Sequence, residues 1–131
     1  MAPTATGSTV LIVDDEPDMR FLAGAVFEGS EIVVAGEAVD GPDALRVISQ
    51  LDPPPIPTVI LLDNQMPGMT GLEVAARILA DHPHQVIVLF SAYLDESVVA
   101  QANRIGIAAC VSKNEAMRLP EIITELLNER S

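Results

Sequence analysis

The stretch Val10-Leu11-Ile12-Val13-Asp14-Asp15-Glu16 decides the fold. Its four successive aliphatic residues leave no polar face for water, which suits a strand buried on both sides, as in a parallel sheet covered by helices. The run then stops in three acids. Comparable aliphatic runs recur at helix-length intervals, so strands are expected at Thr9 to Val13, Ile32 to Gly36, Thr58 to Leu62, Val86 to Phe90 and Ile107 to Ser112. The segments between them carry helical periodicity: Met19, Leu22, Ala23 and Val26; Ala44, Leu45, Ile48 and Leu51; Leu72, Ala75, Ala76 and Leu79; Val98, Ala102 and Ile105. Leu119, Ile122, Ile123 and Leu126 repeat the spacing. Pro17 and Pro42 stand where a first helical turn accepts proline, and Thr70 with Glu73 has capping-box spacing. Alternating strands and helices predict an α/β fold with right-handed crossovers and helices on both faces of the sheet.

Composition narrows the possibilities. The 131 residues are 49% hydrophobic but only 3% aromatic, without tryptophan, so the core is built from Val, Ile, Leu and Ala. A formal charge of −12 disfavours direct binding to nucleic acid or to anionic lipid. The apolar runs are about half of the roughly 20 residues a membrane span needs, and the first residues lack the pattern of a secretory signal. We read a cytoplasmic protein with a flexible leader over residues 1–8, one domain over 9–131 and no output domain. Cys110 is the single cysteine, which excludes an internal disulfide or a cysteine-cluster metal site. Asp52-Pro53-Pro54-Pro55-Ile56-Pro57 is expected to be a stiff connector, and its PxxP pattern from Pro54 to Pro57 is read as a surface loop. His82 and His84, split by a proline and lacking a third ligand, are read as a solvated turn.

In a parallel sheet the strand carboxyl ends share one edge, and ligands bind there near the point where strand order reverses. The first run ends in Asp14-Asp15-Glu16, the third in Asp63, the fourth in Ser91, and the fifth in Lys113, the sole lysine of the chain. Carboxylates converging on one crevice repel each other, and a hard divalent cation removes the conflict. Mg²⁺ keeps several waters and accepts phosphate oxygens, so the cluster reads as a cation site open to a phosphoryl ligand.

Taken in order, Val10 to Glu16, Val59 to Glu73 with its Asp63-Asn64-Gln65-Met66-Pro67-Gly68 core, Phe90-Ser91-Ala92 and Val111-Ser112-Lys113 resemble the receiver domain of two-component response regulators. The resemblance runs from about Thr9 to Glu129. It implies a flavodoxin-like (βα)5 sandwich with a five-stranded parallel sheet of order 2-1-3-4-5. It makes Asp63 the phosphoacceptor, with Asp15 and Asp63 binding Mg²⁺ directly, Asp14 acting partly through water, and the backbone carbonyl of Gln65 completing the protein ligands; Mn²⁺ is expected to substitute. Lys113 then neutralises charge on the transferring group, Ser91 hydrogen-bonds a phosphoryl oxygen, and the small Ala92 leaves room for the acyl phosphate.

The implied partners are a sensor histidine kinase or a histidine phosphotransfer protein upstream and an unidentified protein downstream. The expected assembly is a monomer or a phosphorylation-dependent dimer. The only catalysis expected is of the domain's own phosphorylation and dephosphorylation.

Cys110 stands where such domains often carry a signalling aromatic, so it is expected to stay buried, with the signal expressed instead by backbone movement between Ser91 and Asp95 and by the fourth helix. Asn114 follows the lysine where proline is common. Tyr93, two residues past Ser91, is expected at the pocket mouth as a gate. A phosphatase of the haloacid-dehalogenase type would need an acid at Gln65, and a flavin site would be repelled by Asp14-Asp15-Glu16. The remaining alternative is a degenerate receiver that binds partners without phosphorylation.

Overall fold

A computed structural model describes residues 7–50 and 59–130. The leader up to residue 6, Leu51, the proline connector with its PxxP pattern, and Thr58 lie outside the described residues. The elements follow in the order β1 (Thr9–Val13), α1 (Pro17–Phe27), β2 (Val33–Ala38), α2 (Gly41–Gln50), β3 (Val59–Leu62), α3 (Gly71–Asp81), β4 (Val86–Ser91), α4 (Glu96–Ile105), β5 (Ala109–Ser112), a 3₁₀ segment (Lys113–Arg118) and α5 (Leu119–Arg130).

The strands form one parallel sheet in the order β2-β1-β3-β4-β5, the flavodoxin-like arrangement. Side chains alternate across it. Val10, Ile12, Val59, Leu61, Val88 and Phe90 pack with Ala23, Phe27, Leu119 and Ile123 of α1 and α5. Leu11, Val13, Ile60, Leu62, Ile87 and Leu89 pack with Ala44, Ile48, Val74, Ala75, Ile78 and Ala102 of α2, α3 and α4. Because β3 and β4 are buried at every position, both faces of these strands are core. Burying each such aliphatic side chain stabilises the fold by about 1.5–3 kcal/mol.

Strand boundaries move relative to the sequence reading, by one residue at the end of β4, which runs to Ser91, and by more at the edge strands β2 and β5. β2 runs to Ala38 and begins after Ile32, because it is an edge strand whose outer positions alternate into solvent and tolerate Glu37. A search for continuous apolar runs finds such a strand but misplaces its ends. β5 begins at Ala109, since Ile107 is used in closing the cap beyond α4: Gly106 adopts φ 106°, and the N–H groups of Gly106 and Ile107 both donate to the Ala102 carbonyl.

Two helical stripes also rotate. On α1 the inward face is Met19, Ala23, Val26 and Phe27, whereas Leu22 is exposed. On α3, Val74 and Ile78 are buried and Ala76 faces solvent, since one small residue too many satisfied the periodicity. The α2 and α4 residues sit as expected, with Ala44, Ile48 and Ala102 buried and Leu45, Val98 and Ile105 packed against them. Pro17 occupies the first turn of α1, and the Thr70–Glu73 capping box forms in full.

Candidate functional site

The carboxyl ends of β1 and β3 meet at the switch point of the sheet, and backbone pairing fixes them there. Asp14 N–H donates to the Ala38 carbonyl and Asp63 N–H to the Val13 carbonyl, so both acids continue the ladder one residue past their strands. The chain leaving β3 is pulled tight against α3. Gly71 N–H donates to the Asn64 carbonyl, and the Asn64 side chain accepts from Leu72 N–H. A Cβ on Gly71 would overlap the Asp63 carbonyl oxygen, so only glycine permits this approach.

These constraints gather Asp14, Asp15 and Asp63, each offering a carboxylate oxygen, with the three oxygens within 4.8 Å of one another. Asp14 and Asp63 are buried, and Asp15 is half-exposed. Lys113 arrives from the end of β5. Its ammonium lies 2.8 Å from Asp14 Oδ2, 3.5 Å from Asp63 Oδ1 and 4.0 Å from Glu16 Oε1. Asp14 Oδ1 also accepts from Glu16 N–H at 2.9 Å.

One ammonium does not balance the acids around it. Burial, followed by the neighbouring charge of Asp14, pushes the Asp63 carboxyl up to about 6, against the opposing pull of Lys113 and of the Gln65 backbone N–H. Burial by itself would lower Lys113, but its hydrogen bond to Asp14 and the charges of Asp63, Asp14 and Glu16 outweigh that and raise it. Three hard oxygen donors with a deficit of positive charge, open to solvent on one side, fit a divalent cation of the Mg²⁺ type. The opening is a cleft of about 360 Å³ lined by Glu16, Met19, Asp63, Gln65, Ala92, Tyr93 and Lys113.

The structure therefore brings together Asp14, Asp15, Asp63 and Lys113, with Ala92 and Tyr93 at the mouth. Tyr93 is 66% exposed. At Gln65 the group directed at Asp63 is the backbone N–H, and this hydrogen bond was not foreseen from the sequence. Ser91 stands at the end of β4, fully buried, and its hydroxyl is turned into its own loop, accepting from Tyr93 N–H at 3.2 Å and lying 3.5 Å from the Tyr93 carbonyl.

Cys110 departs from expectation. It is only partly buried, because edge strand β5 has a neighbour on one side alone, and it packs against the core layer under α2, α3 and α4, away from the acids. Burial still raises its thiol. The sequence reading gave Met19 only a place in the first helical stripe, although it lines the cleft, and assigned no role to Arg20 or Glu37. Arg20 donates to the Asp14 carbonyl at 2.7 Å and pairs with Glu37 at 3.1 Å, a contact that depends on β2 lying beside β1.

Among the described residues no helix is long and apolar enough to cross a membrane. The chain is similar to chemotaxis protein CheY of Thermotoga maritima, 30% identical over 125 residues that cover 95% of this chain and 98% of that protein. It is also similar to protein-glutamate methylesterase/protein-glutamine glutaminase 3 of Hahella chejuensis, 40% identical over 92 residues. That match covers 70% of this chain but 25% of the relative, so the likeness to the methylesterase concerns about a quarter of its length. Among solved structures, the response regulator domain of Thermotoga maritima CheB superposes with a TM-score of 0.81 at 25% identity, over 92% of this chain and 96% of that one. Residues 10–124 match the family described as response regulator receiver domain, and with the sheet order and the acidic switch-point cleft this makes the chain a member of that family.

Proposed function

We propose that this receiver domain takes a phosphoryl group onto Asp63 from a sensor histidine kinase or a histidine phosphotransfer protein, in a Mg²⁺-dependent step of a two-component phosphorelay. The observation that carries this reading is the convergence of Asp14, Asp15 and Asp63 on one cleft with the sole lysine of the chain 3.5 Å from Asp63. In the transfer, an Asp63 carboxylate oxygen attacks phosphorus. The P–N bond to the donor imidazole breaks, its electron pair stays on the ring nitrogen, and an acyl phosphate forms on Asp63.

Asp14, Asp15 and Asp63 would hold Mg²⁺, with the Gln65 carbonyl as a further ligand, and a bound cation would supply charge neutralisation for the acids and the incoming oxygens. Lys113 is placed to pair with a phosphoryl oxygen by shifting from Asp14, a short movement for a flexible side chain. Ser91 would reach the phosphoryl group after exchanging its loop contact, of which the 3.5 Å approach to the Tyr93 carbonyl is weak. Ala92 adds little bulk at the mouth. The domain would act on no other substrate, and its acidic surface favours a protein over nucleic acid as the downstream partner. A cytoplasmic setting belongs to the same reading.

Incubating the protein with acetyl phosphate and Mg²⁺ should add one phosphoryl group by intact mass, and chelating the cation should prevent it. A folded protein that stays unmodified would sink this reading and leave the domain as a phosphorylation-independent binding module.

Tyr93 and Gln65 line the cleft that holds Asp63, and on this reading they would flank the in-line approach of water to the acyl phosphate. Tyr93→Ala is expected to speed dephosphorylation by roughly threefold, less than 1 kcal/mol of barrier. Phosphate release measured after removal of the donor would show this, and an unchanged or slower decay would exclude a gate at Tyr93.

A further inference from the structure

We propose that Arg20 is a positioning residue for the cation site, holding the Asp14–Asp15 peptide so that the Asp15 carboxylate points into the cleft. This inference rests on the receiver reading of the acidic cluster and concerns a side chain that touches none of the carboxylates in it.

Asp14 is fixed at every polar group it carries. Its N–H donates to the Ala38 carbonyl, and its carboxylate is held by Glu16 N–H and the Lys113 ammonium. Its carbonyl accepts from Arg20 Nη1 at 2.7 Å. Asp15 differs. Among the described residues no hydrogen bond or ion pair restrains its half-exposed carboxylate, so its direction is set by the backbone that carries it. The peptide unit leading into Asp15 is the one whose oxygen Arg20 holds.

Arg20 is itself anchored. Its side chain is 16% exposed, and Nε pairs with Glu37 Oε1 at 3.1 Å. The planar guanidinium thus spans the penultimate residue of β2 and the first residue after β1, which a single-point ammonium cannot do with the same geometry. Arg20 enters from the second turn of α1, so the helix, the edge strand and the acidic loop are tied at one place. A charge-assisted hydrogen bond to a mostly buried carbonyl resists rotation of that peptide. Without it, the loop could relax under the mutual repulsion of Asp14, Asp15 and Asp63, and the three oxygens would no longer converge.

The test measures Mn²⁺ affinity by the loss of the free-ion electron paramagnetic resonance signal on titrating the full chain, with thermal unfolding recorded in parallel. Arg20→Met keeps the length and apolar stem of the side chain and removes its donors. It should weaken Mn²⁺ binding about tenfold, the lower end of what residues supporting metal ligands contribute. Arg20→Lys, able to donate to the Asp14 carbonyl alone, should recover most of that loss. Glu37→Gln leaves the guanidinium bond to Asp14 and should change affinity less than about twofold.

A purely structural pin predicts otherwise: Arg20→Met would lower the unfolding temperature with Mn²⁺ affinity unchanged, and that result overturns the inference while leaving the cation site standing. If the wild-type chain binds no Mn²⁺, both the inference and the cation site fall together. Should Arg20→Met not fold, Arg20→Gln, which shortens the reach, reads the same quantity under the same criteria.

Discussion

Asp63→Asn is expected to lower phosphoryl uptake from acetyl phosphate by roughly a thousandfold or more, the scale on which removal of a nucleophile acts when the rest of its site survives. The amide keeps the shape of the side chain and can still face Lys113, but it offers no carboxylate oxygen to phosphorus. The neighbouring acids do not substitute. Asp14 is held by Glu16 N–H and by the Lys113 ammonium at 2.8 Å, and Asp15 lies at the half-exposed rim.

Asp15→Asn provides the contrast. It leaves the nucleophile in place and removes a cation ligand, so most activity should be lost together with its dependence on Mg²⁺. Uptake followed by intact mass, with the modified residue located by peptide mapping, separates the two variants. Labelling of Asp63→Asn at the wild-type rate and stoichiometry would show that the acceptor lies elsewhere.

Much of this site was legible in the sequence because a parallel sheet places successive strand ends on one edge. The adjacent pair Asp14 and Asp15, with Asp63 and Lys113 far along the chain from it, could be assigned to one crevice from the ends of three aliphatic runs. The buried strands β1, β3 and β4 were readable for a related reason: with helices on both faces, their interior positions are all apolar, and the run is bounded by polar residues such as Thr9 and Ser91. Edge strand β2 was harder because half of its positions face water, and β5 because the cap beyond α4 extends the apolar run with Ile107.

What stayed hidden were the groups that support the site. The Arg20 bridge from the Asp14 carbonyl to Glu37 requires knowing which strand borders β1, and nothing local to Arg20 carries that information. The Gln65 N–H directed at Asp63 is a main-chain feature that residue identity does not encode. Nor did the sequence reveal that the Ser91 hydroxyl turns into its own loop. The near-contact of Gly71 with the Asp63 carbonyl could be suspected from a glycine at the start of a helix, but its cause is the tight return of the chain after β3.

The same cluster that readies Asp63 for a cation should destabilise the fold when no cation is present. In the unfolded chain Asp63 takes its ordinary value of 3.8, whereas burial and the charge of Asp14 raise it to about 6 in the folded state. Between those values the folded protein retains a proton that the unfolded chain has released. Stability from this group is therefore fully present below pH 3.8 and declines as pH rises from there through about 6, after which the ionised carboxylate costs about 3 kcal/mol as an upper figure. Lys113 does not blur this window. Its pKa is raised from 10.5, so its contribution is present throughout the acidic and neutral range and is lost only in strong alkali.

Asp63→Asn removes the titration, so the stability difference between variant and wild type isolates Asp63 from every other acid in the chain. In chelator, the two proteins should unfold alike below pH 3.8, where Asp63 is protonated in both the folded and the unfolded chain. At pH 7.5 the asparagine variant should be more stable by about 2 kcal/mol, or roughly 5 °C in midpoint for a domain of this size. Saturating Mg²⁺ should then reverse the order, because a ligand that binds only the folded state stabilises the wild type, while the variant lacks one of the three carboxylates. Urea titrations at both pH values, with and without the cation, measure all of these quantities. A variant no more stable than wild type at pH 7.5 in chelator, or a difference independent of pH, would mean that the carboxylates do not strain one another in the folded chain. The argument for a cation at this site would then lose its electrostatic basis.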